Sequence, residues 1–395
     1  MNIQKCIEEM KTIHESLLNL LESETNIEEE FQNLLLYIED YKICEEKHKI
    51  RSILNLILKI ANNHYRGSSF FTKIFKILTV LKISIKKYFT NLEIFKIFKS
   101  NKRILLFLIE EQIIKIDNYI VKLFFTEKYI NFKYPQYFAP EISPIIDKKL
   151  INLKDKNELL EEITKELPSN FYESRKLGEN DQLICRYIQQ DLIKEFIVYV
   201  NRNNTFLDEV IQPSIYETNE LILRMNANKS QIRLIEYAAF YGSIQIFNYL
   251  RINKVILTPS IWIYAIHGKN AEIIHILEEN KVWNEDPTYK NILFESIKCH
   301  HNDVVNYIQN NYLKENIDII EKSFENYNFN LLNADDVNES SFLYCCEYNY
   351  FILTNFLIKT KNIDVNKVLI KSIGQDKEIE TTALNIAIEN ENTEI

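Results

Sequence analysis

Between Glu236 and Ile308 one helical pattern is written three times, and this repetition constrains the fold more than any other feature of the chain. The copies run from Tyr237 to Leu250, from Tyr264 to Leu277 and from Glu295 to Ile308. In each, a small residue (Ala238, Ala265, Ser296) is followed eight positions on by Ile246, Ile273 or Val304. Twelve positions on come Leu250, Leu277 and Ile308. Polar residues separate the two apolar ends, so each copy predicts two short antiparallel helices. The small residue lets them approach, and the later apolar residues close the pair. One such hairpin cannot bury its own apolar face, so copies must stack.

The same arithmetic recurs at Cys185 (Ile193, Ile197) and at Cys345 (Leu353, Leu357). It recurs in part at Ala387, where Ile395 is the plus-eight residue and the sequence stops. The last repeat is therefore expected to be incomplete, as in a shortened product, with residues after Ser372 poorly fixed. Long connections are expected at Asn201–Ser230 and Asn311–Ser340.

The wording of these copies resembles the ankyrin repeat. The family signature T-P-L-H-x-A is matched best by Thr382-Ala383-Leu384-Asn385-Ile386-Ala387, and the Ala-Ala-x-x-Gly that continues it by Tyr237–Gly242. His301 falls at the family's next position, and Gln245, Glu272, Asp303 and Glu394 at the acidic or amide one. There are departures. Lys269, His300, Asn349 and Glu391 replace the turn glycine that Gly242 keeps, and Thr258-Pro259 lies two residues early relative to Ala265. The phrasing is similar to the divergent ankyrin-type proteins expanded in trichomonad parasites. The resemblance implies an interaction scaffold that binds another protein.

Composition agrees with helices. Apolar content of 46% is ample for burial, while 5 Gly and 7 Pro are too few for an all-β or dinucleotide-binding fold. We therefore expect an all-α protein. An N-terminal helical region (1–168) leads into a divergent ankyrin-like helix-hairpin solenoid (181–395, clearest over 231–310). The formal net charge of −9 argues against nucleic acid as a partner. The first residues lack the order of a signal peptide, and no apolar run reaches membrane-spanning length. The six cysteines show no C-x-x-C pair, so buried reduced thiols and a cytoplasmic, intracellular location are expected.

Residues 1–48 are acidic and predict two amphipathic helices, with Asn26 as an N-cap before Glu28, Glu29 and Glu30. Lys73–Arg103 reverses the sign. Read alone, this basic amphipathic stretch suits an anionic membrane surface; read with its neighbours, it is a solvated lysine face lying against the acidic first 48 residues. Tyr134–Pro144 predicts a turn-rich connector, and Asn157–Leu167 a short helix stopped by Pro168. Pro168–Asn180 then reads as a surface loop at a domain boundary.

Motifs for catalysis are absent: no G-x-x-x-x-G-K, G-x-G-x-x-G, G-x-S-x-G or H-E-x-x-H occurs. Cys299-His300-His301 with His267 and His275 matches no zinc spacing, so neither metal nor cofactor is expected. Trp262, at the Leu position of its repeat, is expected in the core. Trp283, Asp286, Tyr289 and Lys254 are the expected partner contacts, in the loops near 254–260 and 281–291, with 330–341 as a third loop. The function expected is a non-enzymatic protein–protein scaffold with no small-molecule substrate. The alternatives are a peripheral membrane adaptor working through 73–103, and an enzyme with an unrecognised N-terminal site.

Overall fold

Helices form where the apolar spacing predicts them, and the fold class is all-α. The computed structural model describes residues 3–64, 66–67, 69–126, 134–145, 167–227, 232–313, 315, 317–361, 363, 365, 369–373, 377–390 and 392. The predicted helix at Asn157–Leu167, apart from Leu167, and residues Glu391, Glu394 and Ile395 lie outside them. The first helices are α1 (Ile3–Glu22), α2 (Ile27–Asp40), α3 (Lys47–Asn63), α4 (Phe70–Tyr88), α5 (Asn91–Phe98), α6 (Lys102–Glu110) and α7 (Asn118–Thr126). Short turns α8 (Tyr134–Tyr137) and α9 (Ala139–Ile142) and helix α10 (Phe171–Leu177) follow. Next come α11 (Leu183–Gln189), α12 (Ile193–Asn203), α13 (Glu220–Ala227), α14 (Leu234–Phe240), α15 (Ile244–Ile252), α16 (Ile261–Gly268) and α17 (Ala271–Glu279). The chain continues through α18 (Lys290–Lys298), α19 (Asn302–Asn311), α20 (Ile320–Glu325), α21 (Phe342–Glu347), α22 (Phe351–Lys361) and α23 (Ala383–Glu389). Before α23, β1 (Leu369–Ile373) pairs antiparallel with β2 (Lys377–Thr381), Leu369 opposite Thr381, a hairpin that helical periodicity did not predict. Among the described residues no helix is long and apolar enough to cross a membrane.

Contacts divide the chain into two compact units. One comprises Met1–Ile60, Arg66–Ile77 and Ser296–Ile395; the other comprises Ala61–Tyr65 and Leu78–Glu295. This division follows contacts, whereas the repeat pattern separates 1–168 from 181–395.

In the second unit three helix pairs follow one another: α11–α12, α14–α15 and α16–α17. First helices pack on first helices, α11 on α14 and α14 on α16, while second helices pack as α12 on α15 and α15 on α17. The anchors read from the sequence are buried: Ala238, Ala265, Ile246, Ile273, Leu250 and Leu277 are all fully enclosed. For α11–α12 the register differs from the expected one. Ile193 and Ile197 are half-buried, and the fully enclosed residues with plus-eight and plus-twelve spacing are Ile188, Phe196 and, at 6% exposure, Val200. Asp191, with φ 49°, makes the turn there.

Departures from the turn glycine preserve its backbone. Lys269 (φ 50°), His300 (φ 58°) and Asn349 (φ 59°) all adopt the left-handed conformation of Gly242 (φ 66°). Side chains at such positions are strained by about 1–2 kcal/mol, so the turn is imposed by packing and not by residue preference. Gly268 serves another purpose. A Cβ there would stand 2.1 Å from the Ala239 carbonyl oxygen, so its lack of a side chain is what lets α16 approach α14.

The connection expected at Asn201–Ser230 holds α13 and a buried run, Glu217, Thr218 and Asn219. Glu217 Oε1 accepts from the Thr218 and Asn219 backbone N–H groups at 2.8 and 2.7 Å. The predicted surface loop at Pro168–Asn180 is instead helix α10, and its Arg175 is buried. Arg175 forks onto Glu141 at 2.7 and 2.9 Å, and Tyr137 donates to its carbonyl at 2.9 Å. Short apolar windows with Gly and Ser punctuation conceal this helix, because tertiary packing holds it rather than length.

In the first unit α1 packs on α2 and on the 3₁₀ turns Phe329–Leu331 and Ala334–Asp336. Asn26 does not cap α2 with its side chain; its backbone N–H donates to Ser23 Oγ at 3.1 Å instead. Two lysines of the basic segment are absorbed here. Lys73, 5% exposed, donates to the Leu21 and Ser23 carbonyls that close α1. Lys76 pairs with Glu28 at 2.7 Å and lies 3.7 Å over the Phe31 ring. The repeat continues through α20, α21 and α23, with α20 packed on α21 and α21 on α23. The connection expected at Asn311–Ser340 therefore contains a repeat: fully buried Ser323 is its small residue, and Tyr327 (φ 57°) its left-handed turn. Its second helix is reduced to the turn Phe329–Leu331, so the plus-eight and plus-twelve test fails there. At α23, Ala383, Ile386 and Ala387 are buried.

Two substitutions separate these effects. Gly268→Ala should lower the urea midpoint by an amount equivalent to about 1–3 kcal/mol, the usual cost of overpacking. Lys269→Gly, one residue on, should raise it by about 0.5–1 kcal/mol through relief of the left-handed turn. Both are read from equilibrium denaturation followed by far-UV circular dichroism.

Candidate partner-binding face

The second helices of the three pairs in the Ala61–Tyr65 and Leu78–Glu295 unit end alike. An asparagine in the last turn folds back on its own helix: Asn203, Asn253 and Asn280 each donate Nδ2–H to the carbonyl four residues earlier, at 2.8, 2.8 and 2.7 Å. The next residue turns left-handed, namely Asn204 (φ 50°), Lys254 (φ 68°) and Lys281 (φ 52°). The residue after that donates its backbone N–H five residues back, Thr205 to Val200, Val255 to Leu250 and Val282 to Leu277. This is the six-to-one bond that closes a helix with orphan carbonyls.

The fourth position then carries an apolar side chain into solvent. Phe206 is 82% exposed, Ile256 68% and Trp283 69%. Because α12, α15 and α17 pack in order, the three side chains follow one another along one edge, separated by about one helix–helix distance, roughly 8–10 Å per step. The sequence signal for two of them is the Asn-Lys-Val of residues 253–255 repeated at 280–282. Phe206 was not among the expected contacts, since Asn-Asn-Thr hides the match.

Of the expected contacts, Trp283 is exposed. Trp262 is buried as expected, its Nε1–H donating to the Val282 carbonyl. Lys254 is exposed, but its backbone rather than its side chain makes the helix end. Asp286 holds its own loop: its carboxylate accepts from Thr288 N–H (2.8 Å), Thr288 Oγ (2.6 Å) and Asn291 N–H (3.1 Å). Partial burial pushes that carboxyl up, but these hydrogen bonds outweigh it and leave it below the usual carboxylate range. Tyr289 is half-buried at φ 58°, and burial raises its phenol. Loop 281–291 is thus fixed by its own hydrogen bonds and presents Trp283 from a rigid base. The third loop, 330–341, is in the other unit and is partly covered: Leu332 and Val337 are buried, and Lys11 of α1 reaches Asn333 Oδ1 at 3.3 Å.

The Cys/His residues take separate partners. His267 contacts Asn219 Nδ2 at 2.9 Å and stacks on Phe240 with centroids 4.0 Å apart. His275 pairs with Glu279 at 3.2 Å on the surface. His300 Nδ1 meets His14 Nε2 at 2.9 Å, both rings buried, while His301 is fully buried at the start of α19. The described cysteines are all free thiols, and only Cys44 is not buried.

The two tryptophans should report this arrangement independently. Trp262→Phe should leave a red-shifted emission, from Trp283, that acrylamide quenches readily; Trp283→Phe should leave a blue-shifted, protected one. Equal quenching of the two variants would contradict the exposed placement of Trp283. A scan against family models, a search of curated proteins and a search of solved structures each found no match to the chain.

Proposed function

We propose that the chain is a non-catalytic, cytoplasmic scaffold, an ankyrin-like solenoid that binds a protein partner through the loop edge carrying Phe206, Ile256 and Trp283. One observation carries this reading: three successive helix ends repeat the same hydrogen bonds and spend them on holding an apolar side chain in water. Isolated exposed apolar residues need no explanation, but a periodic row on rigid loops is an anchor pattern. Stacked pairs with left-handed turns at the family's glycine position support the ankyrin-like reading. Buried free thiols suit a reducing compartment. Lys73 and Lys76 are occupied by α1 and α2, and Lys102 is buried against the Ile215 carbonyl, which removes three charges from the membrane-adaptor alternative.

The test is recovery of partners by affinity purification from the chain's own cell, followed by affinity measurement with the purified partner. Trp283→Ala and Ile256→Ala should each weaken binding by about 2 kcal/mol, some 30-fold, with unchanged thermal stability. Tyr289→Ala should act less, since that side chain is already half-buried. Partner affinity indifferent to Phe206, Ile256 and Trp283 changed together would sink the proposal, as would loss of binding only on Lys-to-Glu changes within 73–103.

A further inference from the structure

In the unit formed by Met1–Ile60, Arg66–Ile77 and Ser296–Ile395, a cleft of about 550 Å³ opens among the first turns of α1, α3 and α22. Its mouth carries charges of both signs, Lys5 and Lys49 against Glu9 and Glu46, with His48 beside them. It adjoins a narrow apolar crevice lined by Met10, Ile13, Ile53, Leu56 and Phe329. Cys6, Glu9, Lys49 and Ile352 border both. The volume falls within the range of small-molecule sites.

Two of the charged groups are already committed. Lys49 bridges Glu46 Oε1 at 2.8 Å and the Tyr41 carbonyl at 3.0 Å, and His48 Nε2 lies 3.0 Å from Glu46 Oε2. The hydrogen bond from Lys49 holds the Glu46 carboxyl below its ordinary value. Lys5 and Glu9 are different. Among the described residues neither takes a hydrogen bond or ion pair, and they stand one turn apart on α1, about 5–6 Å between Cβ atoms. Cys6, between them and the crevice, is raised to about 11 by burial and then by the Glu9 charge, so it stays a thiol at neutral pH and offers no nucleophile.

We propose that this cleft binds a small zwitterion with an apolar side chain, an apolar α-amino acid, with its carboxylate on Lys5, its ammonium on Glu9 and its side chain in the crevice. The charge census selects the class. An anion or a cation alone meets repulsion as large as its attraction, whereas a zwitterion finds a counter-charge for each end. The apolar crevice then distinguishes leucine or phenylalanine from glycine. No bond is made or broken, so the site is a sensor or a ligand-dependent brace and is independent of the partner-binding edge.

Isothermal titration of the full chain with leucine and phenylalanine tests it, against glycine, isovalerate (acid only) and isoamylamine (amine only). One-site saturable binding is expected for leucine or phenylalanine, with the single-charge analogues and glycine at least about tenfold weaker. Glu9→Gln should weaken leucine about tenfold and strengthen isovalerate, whose repulsion it removes; Lys5→Gln should weaken leucine and strengthen isoamylamine for the same reason. Both substitutions lie on the solvent side of α1, and circular dichroism checks that each variant folds. Absence of saturable binding by any apolar amino acid overturns the proposal. So does isovalerate or isoamylamine binding as tightly as leucine, or leucine binding indifferent to both substitutions.

Discussion

One kind of hydrogen bond, reused along the chain, ties successive repeats together within each unit. Directly after the left-handed turn stands a side-chain donor that reaches back to a carbonyl at or just past the end of the preceding first helix. Ser243 bonds the Ile188 carbonyl, Asn270 bonds Gly242 at 3.0 Å and Asn328 bonds Ile297 at 3.0 Å. Tyr350 bonds Phe324 at 2.8 Å; beyond α23, Asn392 bonds both Cys346 and Glu347. Helix C-termini leave carbonyls without intrahelical partners, and a buried acceptor left unsatisfied costs about 1–3 kcal/mol. Each pair therefore completes its neighbour's backbone as well as its neighbour's core. The donor identity varies among Ser, Asn and Tyr because only reach and an N–H or O–H are required.

The left-handed turn is what aims that donor. Its geometry is kept while its residue changes from glycine to lysine, histidine, tyrosine or asparagine. This is why a reading of residues alone saw departures at Lys269, His300 and Asn349 where the backbone has none. Asn270 carries a double load: it caps α17 by accepting from the Glu272 and Ile273 N–H groups, and it donates to Gly242.

Spacing of apolar residues was enough to find the pairs at Ala238, Ala265, Ser296 and Cys345, because those pairs have two full helices and the pattern tests both. It failed at Ser323, where the second helix has shrunk to a 3₁₀ turn and Asp335 occupies the plus-twelve position. It slipped at Cys185, where the left-handed turn at Asp191 comes six residues on instead of four and the fully enclosed apolar residue is Ile188. The loop edge was half legible. Trp283 stood out as one of two tryptophans, but its equivalence with Ile256 and Phe206 lies in the hydrogen bonds that end three helices, which side-chain identity only partly records. Asp286, expected as a partner contact in the loop near 281–291, is the residue that ties its own loop.

The discontinuity of the first unit bears on how the molecule is made. Its α1, with Ile13, Leu17 and Leu20 buried, packs against elements near Phe329, and Asn55 of α3 donates to Tyr327. Those partners follow the intervening Leu78–Glu295 segment, which a ribosome adding about 5–20 residues per second takes roughly 10–40 s to deliver. During that interval the earliest helices leave the exit tunnel with part of their greasy surface uncovered.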